Sequence, residues 1–274
     1  MPVDVDATVL ANRALSHDYN IVSLAAPSIA RAAQPGQFVM VKLGDGCAPL
    51  LRRPFSVFEI LRDARGEPLG ISLLNKRVGV TTRLLAEVRA DDHVACLGPL
   101  GRPFVGIDPP GEAWMVAGGV GVAPFVTLAD DLVRRGTRSH LVYGARTAAD
   151  LHGIELFEAR GCTLHPATED GSRGDTGLVT VPLERELRRR DGASPVLLYA
   201  CGPTPMMRAV AMLAESFGWP SQVSLEPVMG CGLGGCYSCV VGIRDGRSSH
   251  HVRACLEGPV FDAATLDWDR LSGH

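Results

Sequence analysis

The chain contains the stretch Cys231-Gly-Leu-Gly-Gly-Cys236-Tyr-Ser-Cys239, and a further cysteine, Cys255, follows after fifteen residues. Three thiols therefore lie within nine residues, with glycines between the first two. Glycine has no Cβ and tolerates positive φ, so this loop can fold its backbone closely around a small inorganic group. The glycines also leave backbone N–H groups free to donate hydrogen bonds to sulfur.

The spacing, Cys-x4-Cys-x2-Cys and then a distant Cys, is the plant-type pattern for a [2Fe–2S] cluster. A four-cysteine zinc site usually pairs two short knuckles, and only Cys236 and Cys239 have that form. Two disulfides are typical of small secreted domains, and four inert buried cysteines would not need this spacing. The pattern therefore predicts metal ligands at Cys231, Cys236, Cys239 and Cys255.

Composition narrows the class of protein. The 274 residues are 46% hydrophobic with a net charge of −3, and no basic run suggests a nucleic-acid partner. We expect no signal peptide, because the N-terminus lacks a positive and an apolar region. The apolar run 113–129 is too short and too rich in glycine to span a membrane. Eight cysteines without a secretion signal indicate a reducing, cytoplasmic location.

Residues 1–105 alternate between apolar strands and Gly/Pro turns, which is typical of a small antiparallel barrel. One short helix is predicted over 81–88. The predicted strands are 19–24, 37–43, 69–74 and 93–97.

Two segments of this region are suited to a phosphorylated aromatic ligand. In Arg53-Pro54-Phe55-Ser56, an extended strand offers a guanidinium to a phosphate, a ring to an aromatic system and a hydroxyl to a polar edge. In 75–82, glycine and hydroxyls at a helix start are suited to a pyrophosphate. The alternatives are a strand with a buried Phe and a surface Arg, and simple helix capping by Thr81 or Thr82.

From residue 106 onwards the pattern changes to strands alternating with helices. The strand from Trp114 enters the glycines Gly118, Gly119 and Gly121, and helical periodicity follows, although this is not the strict dinucleotide fingerprint. Further strands are predicted at 140–144, 162–168 and 195–201, with a helix over 206–217. Parallel strands bind ligands at their carboxyl ends, so 118–121 and 201–203 are expected at one rim.

The remaining cysteines and the two adjacent histidines are interpreted as structural or surface residues. Cys201 ends a buried strand and is expected to fill space rather than to act as a nucleophile. His250 and His251 are expected at the surface, near a hairpin that turns at 245–246. The cysteines expected to be structural are Cys47, Cys96 and Cys162.

The order of these motifs resembles the ferredoxin-reductase superfamily. Within it, the chain is most similar to the iron–sulfur electron-transfer subunits of NAD-linked (class 1B) dihydroorotate dehydrogenases, above all in the tail 253–262. This resemblance implies an FAD-binding barrel over 1–105, an NAD-binding α/β domain over 106–221 and a [2Fe–2S] domain over 222–274.

The resemblance also implies roles for matching residues. Arg53, Pro54, Phe55 and Ser56 would form the FAD-binding strand. Arg53 would bind the FAD phosphates, and Phe55 and Ser56 would lie near the isoalloxazine ring. Thr81 and Asn75 depart from the family, which commonly has glycine and tyrosine there. The other implied FAD contacts are Leu74, Asn75, Lys76, Gly79, Thr81 and Thr82. The implied nicotinamide-nucleotide contacts are Gly118, Gly119, Val120, Gly121, Cys201, Gly202 and Pro203.

The implied function is a redox relay from NADH through FAD and the cluster to an FMN-containing dihydroorotate dehydrogenase subunit, in a heterotetramer. No acid, base or nucleophile from this chain is required. The alternatives are a reductase for another oxygenase or dehydrogenase, and a non-enzymatic nucleotide or metal regulator. NAD and NADP both remain open, since Arg146 at a strand end is able to meet a 2′-phosphate.

Overall fold

The computed structural model describes residues 1–44, 49–106, 111–190, 194–246 and 248–271, so Cys47 lies outside the described residues. The strands are β1 (Val3–Ala14), β2 (Tyr19–Ala25), β3 (Phe38–Lys42), β4 (Arg53–Ser56), β5 (Glu59–Arg62), β6 (Pro68–Lys76), β7 (His93–Leu100), β8 (Glu112–Gly118), β9 (Arg138–Ala145), β10 (Thr163–Thr168), β11 (Asp175–Thr176), β12 (Val196–Cys201), β13 (Ser221–Ser224), β14 (Val240–Asp245), β15 (Ser248–Arg253) and β16 (Val260–Asp262). The α-helices are α1 (Pro27–Ala32), α2 (Val80–Glu87), α3 (Phe125–Arg134), α4 (Ile154–Glu158), α5 (Thr180–Arg189), α6 (Thr204–Ser216) and α7 (Ala254–Glu257). Within these ranges, no helix is long and apolar enough to cross a membrane.

The first sheet is antiparallel throughout and has the order β4-β3-β7-β1-β2-β6-β5. Alternate apolar residues of its strands, such as Val9, Val22, Val39, Ile71 and Val94, pack into one buried cluster. Side chains from strands this far apart meet only if the sheet curls. The predicted antiparallel barrel is therefore confirmed as a half-barrel.

The second sheet has the order β11-β10-β9-β8-β12-β13-β16 and is parallel except for β16 at its edge. On β8, Trp114 and Val116 face a cluster that includes residues of α5 and α6, whereas Met115 and Ala117 face a cluster with α3 and α4. Helices thus cover both faces, which explains why its central strands are apolar throughout. The predicted parallel α/β unit is confirmed.

The two sheets and the cysteine region share buried clusters. Met40 and Leu100 of the half-barrel pack in the same cluster as Cys239 and Cys255. The strands β13 and β16 belong to the parallel sheet, although both lie largely within the segment 222–274. The division at 105 and 221 stays a prediction, and the cysteine region is built onto the edge of the second sheet.

Three aromatic side chains stack on neighbouring strands of the parallel sheet. The rings of Trp114 and His140 lie 3.9 Å apart and within 3° of parallel. Nδ1 of His140 lies 3.3 Å from Nε2 of His165. Burial, followed by the neighbouring His165, lowers the pKa of His140 to about 4. Burial lowers the pKa of His165 as well, so both rings are neutral near pH 7.

We expect His140 to make the folded protein less stable as the pH falls from 6.5 to about 4. In that window the unfolded chain binds a proton on His140 that the folded chain excludes, whereas above it both states are neutral. His140→Phe keeps a flat ring against Trp114 without a titrating group. The midpoint of urea denaturation should therefore fall less with acidity in the variant than in the wild type, and equal slopes would contradict this coupling.

Candidate functional site

A cleft of 970 Å³ lies at the carboxyl ends of the parallel strands and reaches all three parts of the chain. The half-barrel contributes Tyr19 and Lys76, and the cysteine region contributes Ser238. The rim of the parallel sheet contributes Gly118, Gly119, Val120, Gly202 and Pro203. One cleft therefore adjoins the barrel, the nucleotide rim and the cysteine loop.

The rim brings together 118–121 and 201–203, the two segments that the sequence predicted at one edge of the parallel sheet. Ala117 is in register with Cys201 on the neighbouring strand, so the turns that follow β8 and β12 lie side by side. A Cβ on Gly121 would overlap the Cys201 carbonyl and the Gly202 amide. Gly119 has a φ of +55°. Only glycines allow this approach of two backbones, which leaves room for a ligand above them.

The helix α6 begins at this rim, directly after Pro203. Its first backbone N–H groups have no carbonyl partner within the helix, and the helix dipole adds positive potential there. Thr204, Pro205 and Met206 of its first turn line the cleft. The rim is therefore suited to the pyrophosphate of a dinucleotide.

Glu226 is a cleft residue that the sequence reasoning missed. It follows β13, and its Oε1 lies 3.8 Å from Sγ of the fully buried Cys201. Its side chain is exposed to the cleft, and desolvation by the protein around it raises the pKa of its carboxyl group. Burial also raises the pKa of Cys201, so that thiol stays protonated and is a poor nucleophile. The sequence signal that was available for Glu226 is its position just after a strand of the parallel sheet, where ligand-binding residues lie.

Two neighbouring arginines, one just before β4 and one at its first position, differ in their partners. Arg52 is paired with Asp4 at 2.8 Å. Arg53 is exposed, and it bonds only backbone carbonyls of its own turn among the described residues. Phe55 and Ser56 are half-buried on the same edge strand. Arg53 is thus the guanidinium of this pair that is available to a phosphate.

The predicted contacts on β6 divide between the cleft and the interior. Lys76 lines the cleft with its ammonium 5.3 Å from the centre of the Tyr19 ring. Leu74 is buried in the cluster between the half-barrel and the parallel sheet. Only Lys76 of the predicted segment 74–76 is therefore a cleft residue.

Asn75 is fully buried and holds α2 in place. Its Nδ2 donates to Oδ1 of Asn20 at 2.7 Å and to the Thr82 carbonyl at 2.8 Å. Asn20 in turn donates to Asn12, whose own amide donates to two carbonyls at the C-terminal end of α2. Asn12 thereby pairs carbonyls that the C-terminal end of the helix leaves unpaired, and Asn20 and Asn75 connect it to the first turn of α2.

The N-terminal end of α2 is capped from within. Oγ1 of Thr82 accepts the amides of Gly79 at 2.8 Å and Val78 at 2.9 Å. Thr81 is 4% exposed, so its side chain turns inward and does not cover the helix start. The N-cap residue is Gly79, so N-capping by Thr81 or Thr82 is wrong; Thr82 is the third helical residue, and the first-turn amides stay available to an anion.

The four cysteines form an outer and an inner pair. Cys236 is exposed and interacts with Cys231, whereas Cys239 and Cys255 contact each other and are each 2% exposed. Hydrogen bonds from Ser238, and then the contact with Cys231, lower the pKa of Cys236 to about 6. Burial raises the pKa of Cys255 to about 12.

The pairing of the four cysteines fits a binuclear iron cluster. Two thiol pairs match a binuclear cluster with two cysteines on each iron. Gly232 and Gly234 have φ near +75° and pack against Met40 and Leu256, as expected for a tightly folded loop. The residues therefore fit a [2Fe–2S] cluster.

Two cysteines outside the loop are buried, and the two adjacent histidines lie at the surface, as the sequence predicted. Cys96 and Cys162 are buried, and Cys162 lies 3.1 Å from the Ser139 hydroxyl. His250 and His251 are exposed on β15. The strands β14 and β15 form the predicted hairpin, with Asp245 paired to Ser248.

Fold and site together define an NAD-linked flavin and iron–sulfur reductase with the ferredoxin-reductase fold. The family model for the oxidoreductase NAD-binding domain matches residues 115–212, and that for the iron–sulfur cluster binding domain of dihydroorotate dehydrogenase B matches 226–267. A Desulforamulus reducens protein is 37% identical over 265 residues, 96% of this chain and 98% of its own. A Bacillus caldolyticus protein is 39% identical over 262 residues, which are 94% of this chain and 96% of its own.

Both relatives are described as dihydroorotate dehydrogenase B (NAD(+)), electron transfer subunit. The chain belongs to this family, and it uses NAD, FAD and a [2Fe–2S] cluster in electron transfer. Among solved structures, an NADH-dependent reduced ferredoxin-NADP oxidoreductase has a TM-score of 0.84 at 32% identity, covering 97% of this chain and 91% of its own. A ferredoxin reductase of carbazole 1,9a-dioxygenase shares the fold, with a TM-score of 0.64 at 23% identity over 80% of this chain and 67% of its own.

We expect Gly121→Ala to weaken NADH binding by about tenfold, because an added methyl group at a closely packed site costs about 1–3 kcal/mol. FAD and cluster absorbance should be retained. Val133→Ala is the control, since this exposed side chain lies near the C-terminal end of α3 and does not line the cleft. NADH affinity is measured by titration, and equal affinities of the two variants would exclude the proposed rim contact.

We expect Asn75→Leu to weaken FAD binding by about tenfold, because each buried polar group left unpaired costs about 1–3 kcal/mol and α2 loses its support. FAD affinity is measured by fluorescence titration of the flavin-free protein. Glu87→Ala, on the exposed face of the same helix, is the control. If Asn75→Leu binds FAD like the wild type, α2 does not contribute to the flavin site.

Proposed function

We propose that this chain carries electrons between NAD(H) and the FMN-containing catalytic subunit of a dihydroorotate dehydrogenase, in pyrimidine biosynthesis. The single observation that carries the proposal is the cleft that adjoins the half-barrel, the nucleotide rim and the cysteine loop. A relay needs its three redox groups close together, and this arrangement supports such proximity. We further propose a cytoplasmic heterotetramer of two such chains and two catalytic subunits.

FAD bound at the half-barrel would supply hydride acceptance from NADH and one-electron transfer to a [2Fe–2S] cluster that the four cysteines would hold. The protein contributes binding and orientation. In this proposal the glycine rim and the start of α6 hold the dinucleotide, and Arg53 and the start of α2 hold the FAD phosphates. Glu226 lines the cleft next to the buried Cys201, and burial raises the pKa of both side chains.

The contact between the cysteine loop and the half-barrel supports a short path between flavin and cluster. Gly232 packs against the Met40 side chain of β3, so closely that a Cβ there would lie 2.5 Å from Met40 Cγ. Met40 is paired in register with Pro54 of β4. The cysteine loop therefore rests on the strand next to the proposed flavin strand.

The exposed side of the cysteine loop is the proposed docking side of the catalytic subunit. Cys236 is exposed there, and an electron leaving by this route crosses the least protein. The neighbouring apolar residues remain 40–64% exposed: Leu51, Leu233, Tyr237 and Leu256. Apolar side chains of this size around a functional group are typical of an interaction surface.

A second candidate is the same relay serving a different partner. It is favoured by the similarity to the NADH-dependent reduced ferredoxin-NADP oxidoreductase, which covers 97% of this chain. The two candidates share the cleft and differ in the acceptor. Purification of the chain with its bound partner, followed by assay of NAD-dependent dihydroorotate oxidation, distinguishes them.

We expect Cys236→Ser to retain FAD and NADH-dependent reduction of an artificial two-electron acceptor, while electron transfer to the catalytic subunit falls at least tenfold. The reason is that a serine oxygen is a poor replacement for a thiolate ligand to iron. Cys162→Ser, a buried cysteine outside the loop, is the control and should keep full transfer.

Transfer is measured as orotate formation with NAD⁺ by the complex of both subunits. Cluster content is followed by visible absorbance. A wild-type protein that holds FAD but one zinc ion instead of iron would contradict the relay. So would full orotate formation by the Cys236→Ser complex.

A further inference from the structure

Ser238 lies between two cysteines of the loop and contacts one of their sulfurs. Its Oγ is 3.1 Å from Sγ of Cys236. The same oxygen accepts a hydrogen bond from the Gly230 N–H at 2.8 Å. The hydroxyl is therefore fixed from one side by the backbone and directed at sulfur on the other.

The direction of the Ser238–Cys236 hydrogen bond follows from the partners. A cysteine that binds iron has lost its proton, so its sulfur only accepts. Ser238 Oγ already accepts from Gly230, and its own proton remains to be donated. With a cluster held by these cysteines, the hydroxyl of Ser238 donates to the sulfur of Cys236.

The outer pair of sulfurs has more polar surroundings than the inner pair. Cys236 is exposed to water and has the Ser238 hydroxyl, and Cys231 accepts the Leu233 N–H at 3.4 Å. On the inner pair, the Cys255 N–H donates to Cys239 Sγ at 3.4 Å within an apolar cluster. Stabilisation of negative charge is therefore concentrated on the outer pair.

Reduction adds one electron to the cluster and increases the negative charge on its sulfurs. A hydrogen bond to such a sulfur strengthens as the charge grows, so it stabilises the reduced state more than the oxidised state. Hydrogen bonds to sulfur and solvent exposure are among the factors that set the potential of these clusters.

We propose that Ser238 is a positioning residue that raises the one-electron reduction potential of the cluster by donating a hydrogen bond to the sulfur of Cys236. The inference rests on the proposed function in one respect, that these four cysteines hold a [2Fe–2S] cluster. It goes further in assigning a non-ligand side chain that adjusts how readily the cluster accepts an electron.

The test is a redox titration of the complete protein with its FAD and partner, in which the reduced cluster is followed by electron paramagnetic resonance. Ser238→Ala should lower the midpoint potential, and Ser238→Thr, which keeps the hydroxyl, should restore it. Ser216→Ala is the matched control, because it removes the same hydroxyl at the C-terminal end of α6, where that hydroxyl donates to the Leu213 carbonyl. Its potential should equal that of the wild type.

An unchanged or raised potential in Ser238→Ala, with the cluster intact, overturns the proposal. An equal shift in Ser216→Ala does so too. If Ser238→Ala does not retain its cluster, resonance Raman spectra of the wild type and Ser238→Thr decide. Both should contain an iron–thiolate band that shifts in D₂O, and its absence contradicts the hydrogen bond. A wild type without [2Fe–2S] absorbance instead refutes the proposed function.

Discussion

The burial of Cys239 and Cys255 in the apolar cluster beside the parallel sheet is the constraint on which the rest of the site depends. A thiolate in such surroundings is costly unless a metal compensates its charge. The raised pKa of Cys255, caused by burial, expresses the same cost. Cluster binding and folding of the loop are therefore coupled, as is usual where metal ligands are buried.

This burial also fixes the cysteine loop relative to the other two parts of the chain. The cluster of side chains that encloses the inner cysteines includes Met40 of the half-barrel and Met207 of α6. A shift of the loop would disturb packing at both places, since closely packed cores do not deform smoothly. The cleft thus has walls from three regions held by one core, which suits electron transfer between groups that do not move.

Local sequence patterns predicted the elements whose surroundings are the same along their whole length, such as strands buried on both faces. The central strands β8 and β12 are apolar because helices cover both faces, and the glycines after β8 are needed for close approach. The strand β1 was missed, although exposed Asp4 and Asp6 alternate with the inward-facing apolar positions 3, 5, 7 and 9, which is the period-two pattern of a half-buried strand. The family resemblance assigned Asn75 to the flavin site. In the structure its amide is buried and donates to Asn20 and to the Thr82 carbonyl of α2, which lie 55 and 7 positions away along the chain.

The sequence by itself predicted the four cysteine ligands, and it determined the glycine turns and the order of half-barrel, α/β unit and cysteine loop. These follow from residue spacing and backbone freedom, which are local properties. Only the tertiary structure decided which cysteines are outer and inner, that Glu226 meets Cys201, that Ser238 reaches the sulfur of Cys236, and that α2 is held by three asparagines. Packing alone establishes these contacts and exposures. Residue spacing along the chain does not show which side chains will be buried or close together in space.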